Sequence, residues 1–359
     1  VMLGFVAREL DSVLRDGRVD RVIQPEKDEI HLLIRAGGAN HRLVLSASAS
    51  AARAHLSSHA KTGPMEPPML CMLLRKYLCG GRVLSVQRIA GDRILKIDIS
   101  NLSELGDPVT RTLIIEIMGR HSNIILCAAD GRIIDAARHV GQDISRVRQV
   151  MPGLPYAYPP SQGKLDPDTA TSAAIAASLI AAGGKLDKAI GASIAGFSPQ
   201  AAREAAARIG LDGSSLIADL DVQQAADALE AYLHTMPTLS PCVVTLDDTD
   251  APTDVFPFPQ THLSMAHIRE FDSPSAALDA YFYERDRRDR LNQRSASLAH
   301  TLKNHIERCE KKIAIQNEAL EGAARMEEYR QYGELIQANL YRLQKGEPTA
   351  VVENYYSPD

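Results

Sequence analysis

Between Arg82 and Val140 the chain sets down RVLSVQRIA, DRILKIDISNL, RTLIIEIMG, SNIILCAAD and RIIDAARHV in succession, with Gly or Asp at the joints. Successive side chains of a strand point to opposite faces, so short apolar-alternating runs specify strands, and a spacing of roughly ten residues predicts an antiparallel meander. The same grammar recurs upstream in RVDRVIQ (18–24), EIHLLIR (29–35) and HRLVLSA (41–47), separated by the turn formers Pro25-Glu26-Lys27-Asp28 and Gly37-Gly38-Ala39-Asn40. Helical spacing predicts a short helix over Leu3 to Leu14 and a second in PPMLCMLLRKYLCGG, with Pro67 in its first turn and Gly80-Gly81 as its stop. SSHAKTGPMEPP (57–68) reads as a loop. Residues 1–160 are therefore expected to form an α+β domain built on β-sheets with a few packed helices.

MPGLPYAYPPSQGK (151–164) carries four prolines and two glycines and is predicted to be a linker. Residues 165–235 are Ala-rich and helical by propensity. Within them, KAIGASIAGFSPQAAREAAARIG breaks at Gly196-Phe197-Ser198 and restarts at Pro199. That pattern suits a helix-hairpin-helix, in which N–H groups at the second helix start could hold a phosphate, or an αα-corner packing its own core. Residues 238–263 return to strand character and predict a small hairpin or extended arm. From Ala276 to Gly346 the pattern is helical again, and Leu298, Leu302, Ile306, Cys309 and Ile313 step like a coiled-coil seam. A seam needs a partner, so either Tyr329 to Leu343 folds back or the partner lies beyond Asp359. The expected division is 1–160, 165–275 and 276–359.

Charge is unevenly placed. Residues 1–160 hold 21 Lys+Arg against 16 Asp+Glu, residues 161–280 hold 6 against 16, and residues 281–359 hold 13 against 13. A polyanion would have to meet the first segment. The five cysteines show no C-x-x-C spacing, which argues against a zinc finger and for a reducing compartment. No apolar run reaches the roughly eighteen residues of a membrane span. His55 and His59 stand four apart, as a helical metal pair would, but no Cys or Glu is placed to complete a metal set. No G-x-S-x-G elbow supports a hydrolase triad.

Three polar clusters remain. Asp92-Arg93 in RIAGDRILKIDI is either a solvated turn, eased if Gly91 makes a bulge, or a guanidinium offered to phosphate or a base edge with Asp92 beside it. In EIMGRHSNIIL, the five residues Gly119, Arg120, His121, Ser122 and Asn123 are more than a tight turn requires. They form either a self-capping hairpin or a set of donors for phosphate, ribose and base edges. Arg146 and Arg148 in SRVRQ extend the basic surface or decorate a solvated face.

GDRIL (91–95), EIMGRHSNIIL (116–126), IIDAARHV and SRVRQVMPGLPYAYPPSQGK resemble the NFACT family, the FbpA, RqcH or NEMF-like proteins. GFSPQAARE is similar to that family's helix-hairpin-helix segment, and EEYRQYGELIQANLYRLQKG with VENYY to its coiled-coil region. The resemblance implies an N-terminal domain similar to the first domain of formamidopyrimidine-DNA glycosylases, a helix-hairpin-helix domain and an antiparallel coiled coil cut short. It further implies a cytoplasmic ribosome quality control factor that binds the large ribosomal subunit carrying peptidyl-tRNA. Such a factor recruits tRNA, alanyl in bacteria, for template-independent tailing of the stalled chain. The ribosome does the chemistry, so no catalytic residue, metal or cofactor is expected. By the resemblance, tRNA recognition falls on Asp92, Arg93, Glu116, Ile117 and Met118, with Gly119 to Asn123 beside them. Arg146, Arg148, Gly196 and Ser198 are candidates for nucleic-acid backbone contacts. Fibronectin-binding adhesin is the second reading, and a glycosylase-like enzyme the third.

Overall fold

The computed structural model describes residues 1–89, 92–160, 162–261 and 267–357, without the side chains of residues 293 and 294. Gly91, and with it the bulge considered above, lies outside the described residues. Contacts divide the chain into a unit from Val1 to Asp286 and a unit from Arg287 to Asp359.

The first unit opens with α1 (Met2–Leu14), followed by strands β1 (Arg18–Glu26), β2 (Glu29–Ala36), β3 (Ala39–Ser46) and β4 (Arg53–Leu56). Helix α2 (Met69–Leu78) leads into β5 (Arg82–Arg88), β6 (Ile94–Leu102), β7 (Pro108–Glu116), β8 (Asn123–Cys127) and β9 (Ile133–Ala136). The nine strands form one antiparallel sheet in the order β4-β3-β2-β1-β5-β6-β7-β8-β9. The predicted runs thus occupy a single sheet whose two halves meet where Arg18 pairs with Arg82. Strand β4 was absent from the sequence reading, because ARAHL is short and follows a Ser/Ala-rich stretch.

α1 and α2 cover the sheet with complementary apolar stripes. Leu10 and Leu14 of α1 and Leu70, Leu74 and Leu78 of α2 are buried against Val22, Leu32, Leu45, Ile97 and Leu113. Each such Leu removed from water contributes about 1.5–3 kcal/mol. Leu113 and Ile115 of β7 face this core, whereas Ile114 faces a second, smaller one with Ile94, Ile125, Cys127 and Val150. Both faces of β7 are covered, which is why LIIE reads as a continuous apolar run rather than an alternation.

A further core lies among α3 (Ser172–Ala182), α4 (Leu186–Ser193), α5 (Pro199–Arg208) and α6 (Val222–Thr235). The stretch expected to be a hairpin forms β10 (Cys242–Leu246) and β11 (Pro252–Phe256), joined by β12 (Ile268–Phe271) in the order β11-β10-β12.

Helix α7 spans Pro274–Ala338. Its first turns are held within the first unit by β4 and the loop after it. The Leu56 N–H donates to Ser275 Oγ at 2.9 Å, the Ser58 N–H to Asp279 at 3.0 Å, and Arg53 to Asp286 at 2.8 Å. His55 and His59 are therefore not a helical pair: His55 lies on β4, buried 3.5 Å from Asp279, and His59 stacks on Tyr283. In the second unit Tyr329 to Ala338 continue α7 rather than folding back, since no proline interrupts the helix after Pro274. Of the two alternatives left open by the sequence, the fold-back of Tyr329 to Leu343 is not formed among the described residues, and Leu298, Leu302 and Ile306 are exposed.

Burial lowers the pKa of His55 against the opposing pull of Asp279. Burial also opposes the Asp279 charge, yet hydrogen bonds from His55, Ser57 and Ser58 hold its carboxyl well below the usual range. The folded state therefore binds fewer protons at His55 than the unfolded chain does. Stability is full above the unfolded imidazole pKa of about 6.5 and is lost as pH falls below it. The melting temperature is expected to decline from pH 7.5 to 5.5 and to decline less in His55→Gln. Parallel profiles for the two proteins would remove His55 as the cause.

Candidate nucleic-acid interface

Strand pairing joins the Asp92-Arg93 turn to the end of β7. Ile94 opens β6 opposite Glu116, and the Ile117 N–H donates to the Arg93 carbonyl at 2.9 Å. Asp92 spends one carboxylate oxygen on the Arg93 N–H at 2.7 Å, which closes the turn and leaves the Arg93 side chain exposed. The Arg93 guanidinium makes no hydrogen bond or ion pair among the described residues.

The stretch from Glu116 to Asn123 divides by burial. Glu116, Ser122 and Asn123 are buried, Ile117 and Met118 half-buried, and Gly119, Arg120 and His121 exposed. Ser122 Oγ accepts the Met118 N–H at 2.8 Å. The Asn123 amide accepts from the Arg138 N–H at 3.0 Å and donates to the Arg138 carbonyl at 2.8 Å. Gly119 starts a 3₁₀ turn at φ +58°, a left-handed conformation that side-chain-bearing residues adopt only at a cost. Arg138 then clasps the loop, donating to the Arg120 carbonyl at 2.9 Å and to the Ala47 carbonyl at 3.0 Å. Ser122 and Asn123 therefore shape the loop and are too deeply buried here to touch a partner. This corrects the expectation that the whole run offers donors.

Glu116 also departs from that expectation. Its side chain is 1% exposed and accepts both Arg148 Nη1 at 2.9 Å and Arg148 Nη2, with the Tyr156 hydroxyl donating at 2.8 Å. Burial opposes the Arg148 charge, yet the carboxylate raises its pKa further, while burial and the same carboxylate push the Tyr156 hydroxyl up. Cys127 nearby is pushed up to about 11 by burial and then by Glu116. Arg148 is therefore committed internally rather than presented to a polyanion, whereas Arg146 is exposed.

The Pro-rich stretch predicted to be a linker is instead strapped to the sheet. The Tyr156 N–H donates to the Gly131 carbonyl at 2.9 Å, the Ile133 N–H to the Leu154 carbonyl at 2.8 Å, and Arg148 Nε to the Ala157 carbonyl at 2.6 Å. Farther along, Arg88 of β5 binds Asp166 at 3.2 Å and Asp168 at 2.5 Å. Proline removes donors and fixes φ, so such a segment cannot extend the ladder but can lie stiffly across its end.

The strap borders an open cleft of about 630 Å³. Asp92, Arg93 and Met118 line it from the sheet, Tyr158, Pro159, Pro160 and Lys164 from the strap, and Gly196, Phe197 and Ser198 from the turn before α5. Ser198 caps α5 by accepting the Ala201 N–H at 3.2 Å, and Gly196 turns at φ +78°. Lys164 donates to the Gly191 carbonyl at 2.8 Å, tying strap to α4. Asp92, Arg93, Met118, Gly196 and Ser198 therefore share one concavity, whereas Gly119 to Asn123 and Arg146 do not line it. Tyr158 and Lys164 escaped the sequence reading. Aromatic alternation in PYAYPP was the available signal.

The model for the NFACT N-terminal and middle domains matches residues 1–359. The chain belongs to the NFACT family. It is 36% identical over 355 residues to the Rqc2 homolog RqcH of Bacillus subtilis, an alignment covering 99% of this chain and 60% of that protein. The Rqc2 homolog RqcH of Streptococcus suis is 31% identical over 359 residues, again covering 99% of this chain and 60% of the relative. The chain thus spans about three-fifths of the length of the curated relatives it matches. Among solved structures, this NFACT chain is similar to the N-terminal part of the fibronectin/fibrinogen-binding protein from Streptococcus suis, with TM-score 0.64 and 30% identity over 79% of this chain and 98% of that one. The fibrinogen binding protein from Staphylococcus aureus gives TM-score 0.66 and 28% identity over 78% of this chain and 98% of that one. The mixed α/β architecture with a large antiparallel sheet is therefore the one these proteins share.

Among the described residues of this NFACT chain, no helix is long and apolar enough to cross a membrane. Ser122→Ala would strand the Met118 N–H donor at the root of the loop, and a loss of about 1–3 kcal/mol is expected. Urea unfolding checks it; an unchanged midpoint would show that the hydroxyl contributes nothing.

Proposed function

We propose that this protein acts in ribosome-associated quality control, binding a large ribosomal subunit obstructed by peptidyl-tRNA and recruiting tRNA, alanyl in kind, for untemplated extension of the stalled chain. The reading rests on the RqcH relatives and on one observation: the cleft gathers Arg93, Asp92 and Met118 on one side and the start of α5 on the other. An exposed guanidinium without an internal partner beside a concavity about 630 Å³ in volume suits a phosphate flanked by an unstacked base. Backbone N–H groups at a helix start suit a second phosphate, which is the helix-hairpin-helix reading of α4 and α5. The β-rich part is taken to be similar in fold to the first domain of formamidopyrimidine-DNA glycosylases. Residues 1–160, 165–275 and 276–359 are taken as its successive domains. The protein positions RNA in the cytoplasm and leaves peptide-bond chemistry to the ribosome.

Arg93→Gln is expected to weaken tRNA binding about tenfold, a loss of roughly 1.4 kcal/mol, and to reduce the salt slope of log K by about 0.7. Its melting temperature should stay within a degree or two. Filter binding at several salt concentrations reads both quantities, and unchanged tRNA retention by the folded variant would sink the assignment. The solved neighbours' names support a second reading, fibronectin or fibrinogen binding, which retention on an immobilised fibronectin surface would test.

A further inference from the structure

Glu116 poses a problem for any contact role. A carboxylate 1% exposed and held by a bidentate guanidinium cannot meet an RNA chain, yet it sits two residues before Met118, which lines the cleft. We infer that Glu116, Arg148 and Tyr156 are positioning residues: together they lock the Pro-rich strap so that Tyr158, Pro159 and Pro160 stand as the cleft wall that an unstacked RNA base meets. The inference rests on the RNA-binding reading above.

Three connections carry it. Arg148 binds both oxygens of Glu116 with its terminal nitrogens and, with Nε, the Ala157 carbonyl at 2.6 Å, so one guanidinium joins the end of β7 to the strap. Tyr156 binds the same carboxylate through its hydroxyl at 2.8 Å, and its ring lies under the Arg148 guanidinium, 5.1 Å from centroid to carbon. Tyr158 then meets Tyr156 edge-on at 5.2 Å, while itself remaining 53% exposed on the cleft. An exposed aromatic ring held from behind and lining the same cleft as a cationic side chain is the arrangement that stacks bases without reading them. Buried charges of this kind are costly unless paired, so removing either partner frees the other to pull away and releases the strap.

The test separates a lock from a direct contact. Glu116→Gln, Arg148→Gln, the double variant, Tyr156→Phe and Tyr158→Ala are compared for tRNA affinity across salt concentrations. Amide hydrogen exchange of residues 152–160 is followed in the absence of RNA. Glu116→Gln and Arg148→Gln are each expected to weaken binding about tenfold, with the double variant no weaker than either. The salt slope stays at the wild-type value because no phosphate contact is lost. Exchange across 152–160 rises in both. Tyr158→Ala weakens binding without changing that exchange, and Tyr158→Phe restores it. Tyr156→Phe removes one donor and no charge, and gives a smaller change of the same kind should the charge variants fold poorly. Unchanged exchange in Glu116→Gln, or a salt slope reduced by about 0.7 in Arg148→Gln, would overturn the lock. Failure of the wild-type protein to retain tRNA would instead overturn the RNA-binding reading, and the exchange data would still report on the lock.

Discussion

One buried carboxylate organises the site. Glu116 ends β7 on the face away from the main core, where Ile94, Ile114, Ile125 and Val150 would otherwise make an apolar surface for the following segment to cover. An acid there cannot stay ionised without compensation, because transfer of a charge from water into such surroundings costs several kcal/mol. Arg148 and Tyr156 supply that compensation, and both arrive on the chain that follows β9. Satisfying Glu116 therefore requires the chain to return across the end of the sheet. The Pro-rich strap follows from that return, while Lys164 on Gly191 and the Val1 amine on Gly196 hold the turn before α5 against the cleft.

The same requirement explains why two neighbouring parts of EIMGRHSNIIL behave differently. Up to Met118 the backbone is still within reach of the ladder, and its residues are fixed against β6 and the strap. After Gly119 the chain turns toward the end of β3, where Arg138 holds it to Ala47 and Asp28. Polar residues in this loop are mostly consumed by that turn. What the stretch presents outward is Arg120 and His121, whose side chains are joined to one another at 3.0 Å.

Next to Asp28, in β2 and the segment after β4, a second polar set holds the start of α7. Glu29 lies between His31, Lys61 and Arg53; burial opposes its charge, but these partners bring its pKa down to about 2. Arg53 passes from Glu29 to Asp286, so a strand and a helix far apart in sequence share one cation. Buried networks of this sort fix geometry more than they add stability, since the desolvation cost offsets much of the attraction.

Much of the fold was legible in the residues. Alternation in β1 to β3 and β5 to β9, the proline and glycine marks around α2, and the break before Pro199 are local signals, and local sterics make them reliable. Strand β4 was missed because four residues carry too short a pattern. The strap was misread because proline and glycine report where a ladder stops, not what a segment lies against. The family motifs likewise singled out Asp92, Arg93, Glu116, Ile117 and Met118 as a set, of which Ile117 is half-buried and does not line the cleft. Sequence by itself determined the order of elements, the residues with an apolar face and the candidates for a site. Only tertiary structure decided that Arg93 stays exposed, that Glu116 and Arg148 neutralise each other, and that Tyr158 and Lys164 complete the cleft. The reason is physical: periodicity is set by neighbours a few residues away, whereas the state of a charge is set by whatever the fold brings within about 4 Å of it.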